Sequence, residues 1–179
     1  MSHVHSQPRL LHEQDDGLLV VQLNHSHHLN ALDDILLAEL GELWTEVRTN
    51  SEIRAVLLIG TGTEAFCVGM DHEPDADYQN RTATVCVDLG VPLVVAVNGL
   101  VRQEGFHMLS SAAAVVCATH VRFVDPPPGS PFSDVPDTVA ALAAGLITAV
   151  VPLWHLRATA ESMARSLATG NRLCSGVAL

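Results

Sequence analysis

The chain has 179 residues, 48% of them hydrophobic, which makes one ordinary domain with a sizeable core and excludes a disordered polymer. Its 20 acidic residues face nine basic ones, all arginine, and a net charge of −11 excludes the basic footprint that nucleic acid or an anionic membrane surface needs. The lack of any lysine excludes Schiff-base chemistry on a lysine amine and a lysine clamp on a phosphate.

The amino-terminal stretch Met1-Ser-His-Val-His-Ser-Gln-Pro8 has no apolar signal core, so a cytoplasmic setting is expected. Leu10-Leu-His-Glu-Gln14 and Gly17-Leu-Leu-Val-Val-Gln-Leu23 then read as two short strands turning at Asp15-Asp-Gly17. Asn30 to Arg48 predicts a helix, with apolar residues at 32, 36, 40, 43, 44 and 47 and an acidic pair in its first turn. Arg54 to Ile59 predicts a buried strand, 73 to 78 a polar loop, 81 to 89 a short helix, and Leu93 to Val97 another strand. Gly105 to Ala113 predicts a buried helix starting just after Asn98-Gly99, and Ala114 to Ala118 a strand leading to Arg122-Phe-Val-Asp-Pro126. Beyond the proline-rich Pro126-Pro-Pro-Gly-Ser-Pro131, Val139 to Val151 and Leu156 to Ala168 read as helices. The uncharged run from Thr138 to Leu156 is broken by Gly145 and Pro152 and reads as core, not as a membrane span. Cys67, Cys86, Cys117 and Cys174 are widely spaced with no C-x-x-C pair, as expected of reduced, buried thiols.

The order strand, strand, helix recurs, which predicts an α/β superhelix of ββα turns, although no repeat is visible in the sequence itself. Four elements carry a resemblance. They are Leu23-Asn24 with Leu29-Asn30-Ala31-Leu32; Ala65-Phe-Cys-Val-Gly-Met-Asp71; Asn98-Gly-Leu-Val-Arg-Gln-Glu-Gly-Phe-His107; and Ala143-Ala-Gly-Leu-Ile-Thr-Ala-Val-Val-Pro152. In this order they resemble the signatures of the crotonase (enoyl-CoA hydratase/isomerase) superfamily, between about Gly17 and Ala168. The resemblance implies an abbreviated crotonase-like spiral with little of the family's carboxyl-terminal helical region. Residues 1–157 would form the truncated core and 158–179 a helix and tail. The family's active-site loop, its P-x-x-G and L-x-R-x-x-G segment and its closing helices are shortened or missing.

The resemblance also implies a chemistry: an acyl thioester carbonyl held by two backbone N–H groups that stabilise an enolate-like anion. Carried over residue by residue, the donors are Met70 and Glu104, within a site of Val68, Gly69, Met70, Glu104 and Gly105. Gln103-Glu104-Gly105 stands where the family has three glycines. The positions of the two catalytic glutamates fall on His107 and Pro127. An imidazole is a competent proton shuttle at neutral pH, Pro127 offers no side-chain chemistry, and Asp125 and Asp134 are the nearby carboxylates. Catalytic candidates are therefore His107, Glu104 and Asp125.

The expected reaction is hydration, dehydration, isomerisation or decarboxylation of a small acyl or carbonyl substrate, in a specialised biosynthetic pathway by analogy. The alternative is a non-catalytic crotonase-fold scaffold or partner subunit. No tightly bound cofactor is expected; the acyl group would ride on CoA or on a carrier. Yet His25-Ser-His-His-Leu29 replaces the basic residue that meets CoA phosphates in many members, leaving Arg54, Arg81 and Arg102 as nearby cations. His25, His27 and His28 lack a carboxylate or cysteine at ligand spacing, so no metal site is expected. Asp71-His72-Glu73, at the start of the active-site loop, is a further polar cluster. A homo-oligomer is expected, a trimer or hexamer by analogy, with no nucleic-acid or membrane partner.

Overall fold

The computed structural model describes residues 8–71, 83–85 and 88–170. Strands β1 (Leu10–Asp15) and β2 (Leu18–Leu23) form the expected antiparallel hairpin, Leu10 opposite Leu23 and Asp15 opposite Leu18. Asp16 and Gly17, at φ 42° and 78°, make a two-residue link whose twist matches that of paired strands. In chain order there follow helix α1 (Asp34–Thr49), strands β3 (Ala55–Gly60), β4 (Ala65–Cys67), β5 (Leu93–Val97) and β6 (Leu100–Arg102), and helix α2 (Gly105–Ser110). Strands β7 (Ala114–Ala118) and β8 (Phe123–Val124), helix α3 (Thr138–Ala143), strand β9 (Ala149–Val151) and helix α4 (Leu153–Ala168) complete the order.

From β3 onward successive strands alternate between two sheets. One is six-stranded, ordered β1-β2-β3-β5-β7-β9, and parallel except at its first hairpin; the other is three-stranded, β4-β6-β8, and wholly parallel. That alternation is the expected ββα spiral. Strands β3 and β5 are neighbours and parallel, with Val56 beside Leu93 and Ile59 beside Ala96. Their continuous apolar runs belong to a sheet covered on both faces.

Helix α4 packs across β2, β3, β5 and β7. Its buried line is Leu156, Ala160 and Ala164, one helical turn apart, and the two alanines let the helix approach closely. Elsewhere in the core, Trp44 of α1, Leu58 of β3, Leu93 of β5 and Met108 of α2 line one small apolar cavity. Arg157 pairs with Glu13 and Glu161, and Arg165 with Asp15 at 2.7 Å, tying α4 to the hairpin. These partners are largely exposed, so each pair contributes only about 0–1 kcal/mol.

Three expectations are corrected. Helix α1 starts at Asp34, not near Asn30, because Leu29 and Asn30 both sit at φ 55°, outside the helical region, and Asp33 caps the helix by accepting the Leu36 N–H at 2.8 Å. The helix expected over Gly105 to Ala113 opens at Gly105 but ends at Ser110, and strand β6 stands between it and Asn98-Gly99. Val139 to Val151 is not one helix, since α3 ends at Ala143, Gly145 reverses the chain at φ 71°, and β9 pairs with β7. Of the helix expected over 81 to 89, residues 83–85 are helical and residues 88 and 89 are not, while 81–82 and 86–87 lie outside the described residues. The loop over 73 to 78 and Cys86 and Cys174 lie outside the described residues.

Candidate active site

Two buried asparagines tie together the segments around His25, Gly60 to Ala65 and Asn98. Asn98, at the end of β5, accepts the Gly60 N–H through Oδ1 at 3.2 Å and donates through Nδ2 to the Gly62 and Ala65 carbonyls at 2.9 and 3.2 Å. Asn30 donates to the Thr61 and Ala65 carbonyls at 3.0 and 2.9 Å and accepts the His25 N–H at 3.1 Å. Both side chains are buried. They crowd Gly60, where a Cβ would lie 2.7 Å from Asn98 Oδ1, 2.8 Å from Asn30 Nδ2 and 2.8 Å from the Phe66 carbonyl. The asparagines of the two motifs are thus structural staples on the loop that feeds β4.

Downstream of β4, Met70 forms an isolated parallel bridge with Leu32. Leu32 N–H donates to the Gly69 carbonyl at 2.8 Å and Asp71 N–H to the Leu32 carbonyl at 3.3 Å. In such a bridge the N–H of the residue between the two bonds points away from the partner strand. That N–H belongs to Met70, and it is aimed at the start of α2.

What it meets there is a carboxylate. Met70 N–H donates to Glu104 Oε2 at 2.9 Å, and Glu104 is only 4% exposed. Gln103 at φ 43° turns the chain just before α2. Gly69 is at φ 94°, and a Cβ there would stand 2.5 Å from Glu104 Oε2 and 2.7 Å from Gln103 Oε1, so only glycine lets the two side chains lie against this backbone. Gly105 is equally close, its notional Cβ 2.9 Å from the Cys67 carbonyl. The structure therefore brings Gly69, Met70, Glu104 and Gly105 together. Val68 lies half-buried beside them.

His107 occupies the first turn of α2, three residues from Glu104, and residues at this spacing share a helix face. Its backbone N–H donates to the Glu104 carbonyl at 3.0 Å; its imidazole is half-buried and has no hydrogen-bond partner among the described residues. Asp125 follows Val124, the strand partner of Arg102, and is exposed, at φ 48°, with Oδ2 2.7 Å from Arg102 Nη2. The Pro127 carbonyl accepts the Ser130 N–H at 2.9 Å, and beyond it the Phe132 ring packs on Phe106 of α2 and Phe123 of β8 at centroid distances of 5.4 and 5.1 Å. Asp134 is exposed. Asp71 is exposed, whereas His72 and Glu73 lie outside the described residues.

Cys67 closes the floor of the site. Its Sγ accepts the Gly69 N–H at 3.4 Å. Burial pushes this thiol from its ordinary value of 9.0 up to about 12, against the opposing Gly69 hydrogen bond and with the Glu104 carboxylate adding to the rise. Burial likewise raises the Cys117 thiol. A neutral thiol is not a nucleophile at physiological pH. Stability follows with a definite sign: above pH 9 the unfolded chain releases protons that the folded chain keeps, so folding weakens as pH rises. Each such thiol costs about 1.4 kcal/mol per pH unit up to its folded value. With no lysine and a single tyrosine, few other side chains obscure that window. Urea midpoints should therefore fall between pH 9 and 11, and less in a Cys67→Ala, Cys117→Ala double variant; equal slopes would contradict the assignment.

The histidine-rich segment serves the fold. His25 Nδ1 lies 3.1 Å from the Ala31 carbonyl and its ring packs on His28 at a centroid distance of 4.4 Å. Among the described residues no group of three or more His, Cys, Asp and Glu side chains is arranged to hold a metal ion. His27 lines a groove of about 380 Å³ with Ser26, Leu29, Thr61, Thr63 and Glu64. Its ionisable side chains are one histidine and one carboxylate, a poor match to a phosphate. Arg54 pairs with Asp16 and Arg102 with Asp125, while Arg81 lies outside the described residues. No described helix is long and apolar enough to cross a membrane.

An alternating two-sheet spiral with a backbone donor aimed at the start of a short helix defines a class, the crotonase fold. The family model for enoyl-CoA hydratase/isomerase matches residues 13–128, and the chain belongs to that family. It is similar to a carnitinyl-CoA dehydratase of Proteus mirabilis, 29% identical over 107 residues that make up 54% of this chain and 41% of the relative. It is also similar to an (E)-benzylidenesuccinyl-CoA hydratase of Thauera aromatica, 26% identical over 121 residues, 62% of this chain and 47% of the relative. The chain thus spans less than half the length of these curated relatives. The solved structure of a carnitinyl-CoA dehydratase from Mycobacterium avium superimposes with a TM-score of 0.78 at 22% identity, over 93% of this chain and 78% of that one, which shows the shared fold.

Proposed function

We propose that the chain binds a small acyl thioester and catalyses proton transfer at the carbon next to its carbonyl, in a hydratase, dehydratase, isomerase or decarboxylase reaction. The observation that carries this reading is the Met70 N–H, turned out of its backbone bridge and already donating to a carboxylate oxygen at 2.9 Å. A donor that accommodates a carboxylate oxygen has the polarity and reach to hold an enolate oxygen. The relatives named for CoA thioesters make a thioester the natural ligand class.

In this reading the substrate carbonyl takes Met70 N–H and Glu104 N–H. The His107 imidazole removes the α-proton, and the electron pair moves onto the carbonyl oxygen as an enolate. Return of the proton to a carbon of the enolate completes an isomerisation; in a dehydration the proton passes from His107 to a β-hydroxyl that leaves as water while the enolate pair closes the double bond; in a decarboxylation the bond to the departing CO2 supplies the enolate pair and protonated His107 the proton. Asp125, ion-paired with Arg102, has at most an orienting part. The test is exchange of α-protons of short-chain acyl-CoA in deuterated water, followed by NMR. Exchange above the buffer rate supports the enzyme. The second reading, a non-catalytic partner subunit, is favoured by the same Glu104 contact, which fills the site, and by Pro127; bound thioester without exchange would establish it.

Assembly belongs to this proposal. Val139 of α3 and Trp154 of α4 are 71% and 81% exposed, flanking the half-buried Leu142, Leu146 and Leu153. Large apolar side chains this exposed support the reading that association covers them. A homo-oligomer is expected by light scattering, and Trp154→Glu should dissociate it; a wild-type monomer at micromolar concentration would contradict the expectation.

A further inference from the structure

We infer that Glu104 is a substrate-displaced latch: in the empty protein its carboxylate occupies the oxyanion position, and an acyl carbonyl gains that position only by expelling it. This deepens the thioester reading and rests on it for the identity of the displacing ligand, though not for the latch itself.

Met70 N–H is the donor a ligand oxygen would need, and Glu104 Oε2 sits on it at 2.9 Å. The contact is built rather than incidental. Glu104 is 4% exposed, the Gln103 backbone turns through positive φ to present it, and Gly69 lacks the Cβ that would stand 2.5 Å from Oε2. Length matters too. In the thioester reading the same residue's N–H is the second donor, and its side chain folds back to reach Met70. One methylene fewer would leave it short.

The consequence is competition within one molecule. A ligand oxygen must replace a charge-assisted hydrogen bond, the stronger kind, with one to a neutral carbonyl. It also gains its place beside a carboxylate that repels developing negative charge. The held-in anion therefore lowers affinity for every ligand that uses Met70 N–H. Removing it should strengthen binding by about 10- to 100-fold, the worth of one hydrogen bond to a charged group.

The test compares wild type with Glu104→Ala, Glu104→Asp and Glu104→Gln. Acetyl-CoA affinity is read by calorimetry and the Met70 amide by its nitrogen-proton NMR signal. Acetyl-CoA should bind about 10- to 100-fold tighter to Glu104→Ala. The aspartate variant separates a latch from a charge effect: it keeps the charge but cannot reach, and should approach alanine. Glutamine keeps the reach through a neutral oxygen and should fall between.

Acetate alone is the control that does not depend on the thioester reading. It should shift the Met70 amide saturably in Glu104→Ala and Glu104→Asp, by refilling the vacated position, and leave it unmoved in wild type. If acetate does so while acetyl-CoA binds no form of the protein, the latch stands and the thioester reading fails. If the Met70 signal is the same in wild type and Glu104→Ala and acetate moves neither, the latch is wrong. Should Glu104→Ala fail to fold, the aspartate variant supplies both readouts.

Discussion

Replacing His107 with alanine is expected to lower turnover, and α-proton exchange with it, by about 10²- to 10⁴-fold, the usual worth of a positioned proton-transfer group. The fold should survive, because the imidazole is half-buried and has no hydrogen-bond partner among the described residues. What holds α2 in place is Phe106, Met108 and Leu109, all buried. His107→Gln should lose nearly as much as alanine, since it keeps hydrogen bonding and cannot carry the proton. Asp125→Asn should lose far less, because that carboxylate is engaged by Arg102 at 2.7 Å. Melting temperatures of all three should stay within a few degrees of wild type, so that a fall in rate reports chemistry. Wild-type exchange in His107→Ala would remove histidine from the reaction and leave Glu104, once expelled from Met70 N–H, as the carboxylate within reach.

The strands that build the sheet were legible because of where they lie. β5 and β7 are buried along their whole length, so nothing polar interrupts Leu93–Val97 or Ala114–Ala118. β9 was not legible for the same reason inverted: Ala149-Val-Val151 continues an apolar run from α3, and periodicity alone does not separate a buried strand from a buried helix. Only the pairing with β7 settles it. The start of α1 was misplaced because apolar spacing ignores backbone conformation, and Leu29 and Asn30 are spent on a left-handed turn. The motifs singled out Met70 and Glu104, which the structure brings into contact. They gave no sign that the Glu104 side chain doubles back onto the Met70 N–H, because that contact joins residues 34 apart and depends on the turn at Gln103. The roles of Asn30 and Asn98 were likewise invisible as geometry, although both residues stood inside the motifs.

Those asparagines set the other large effect. Asn98→Ala is expected to destabilise the protein by about 2–5 kcal/mol. The side chain has three backbone partners, and their nature fixes its orientation, with an N–H facing Oδ1 and two carbonyls facing Nδ2. Alanine would strand the buried Gly60 N–H, and a buried orphan of this kind costs about 1–3 kcal/mol, while the carbonyl of the exposed Gly62 would lose its donor. Ala65 would keep a partner, because Asn30 Nδ2 also donates to its carbonyl at 2.9 Å. The two losses should therefore be more than additive: Asn30→Ala and Asn98→Ala together leave the Ala65 carbonyl without either donor, which neither single change does. Asn98→Asp should be no milder, since it keeps the acceptor for Gly60 but faces two carbonyls with a charge. Gly60→Ala attacks the same knot from inside, driving a methyl into both amides and the Phe66 carbonyl. Because the loop from Gly60 to Ala65 leads through β4 to Met70, each variant should also disturb the Met70 amide signal before unfolding begins. Urea denaturation measures the first effect and nitrogen-proton NMR the second. An Asn98→Ala midpoint shifted by less than the equivalent of about 1 kcal/mol would mean that water replaces the amide, and that the knot is not what holds the site together.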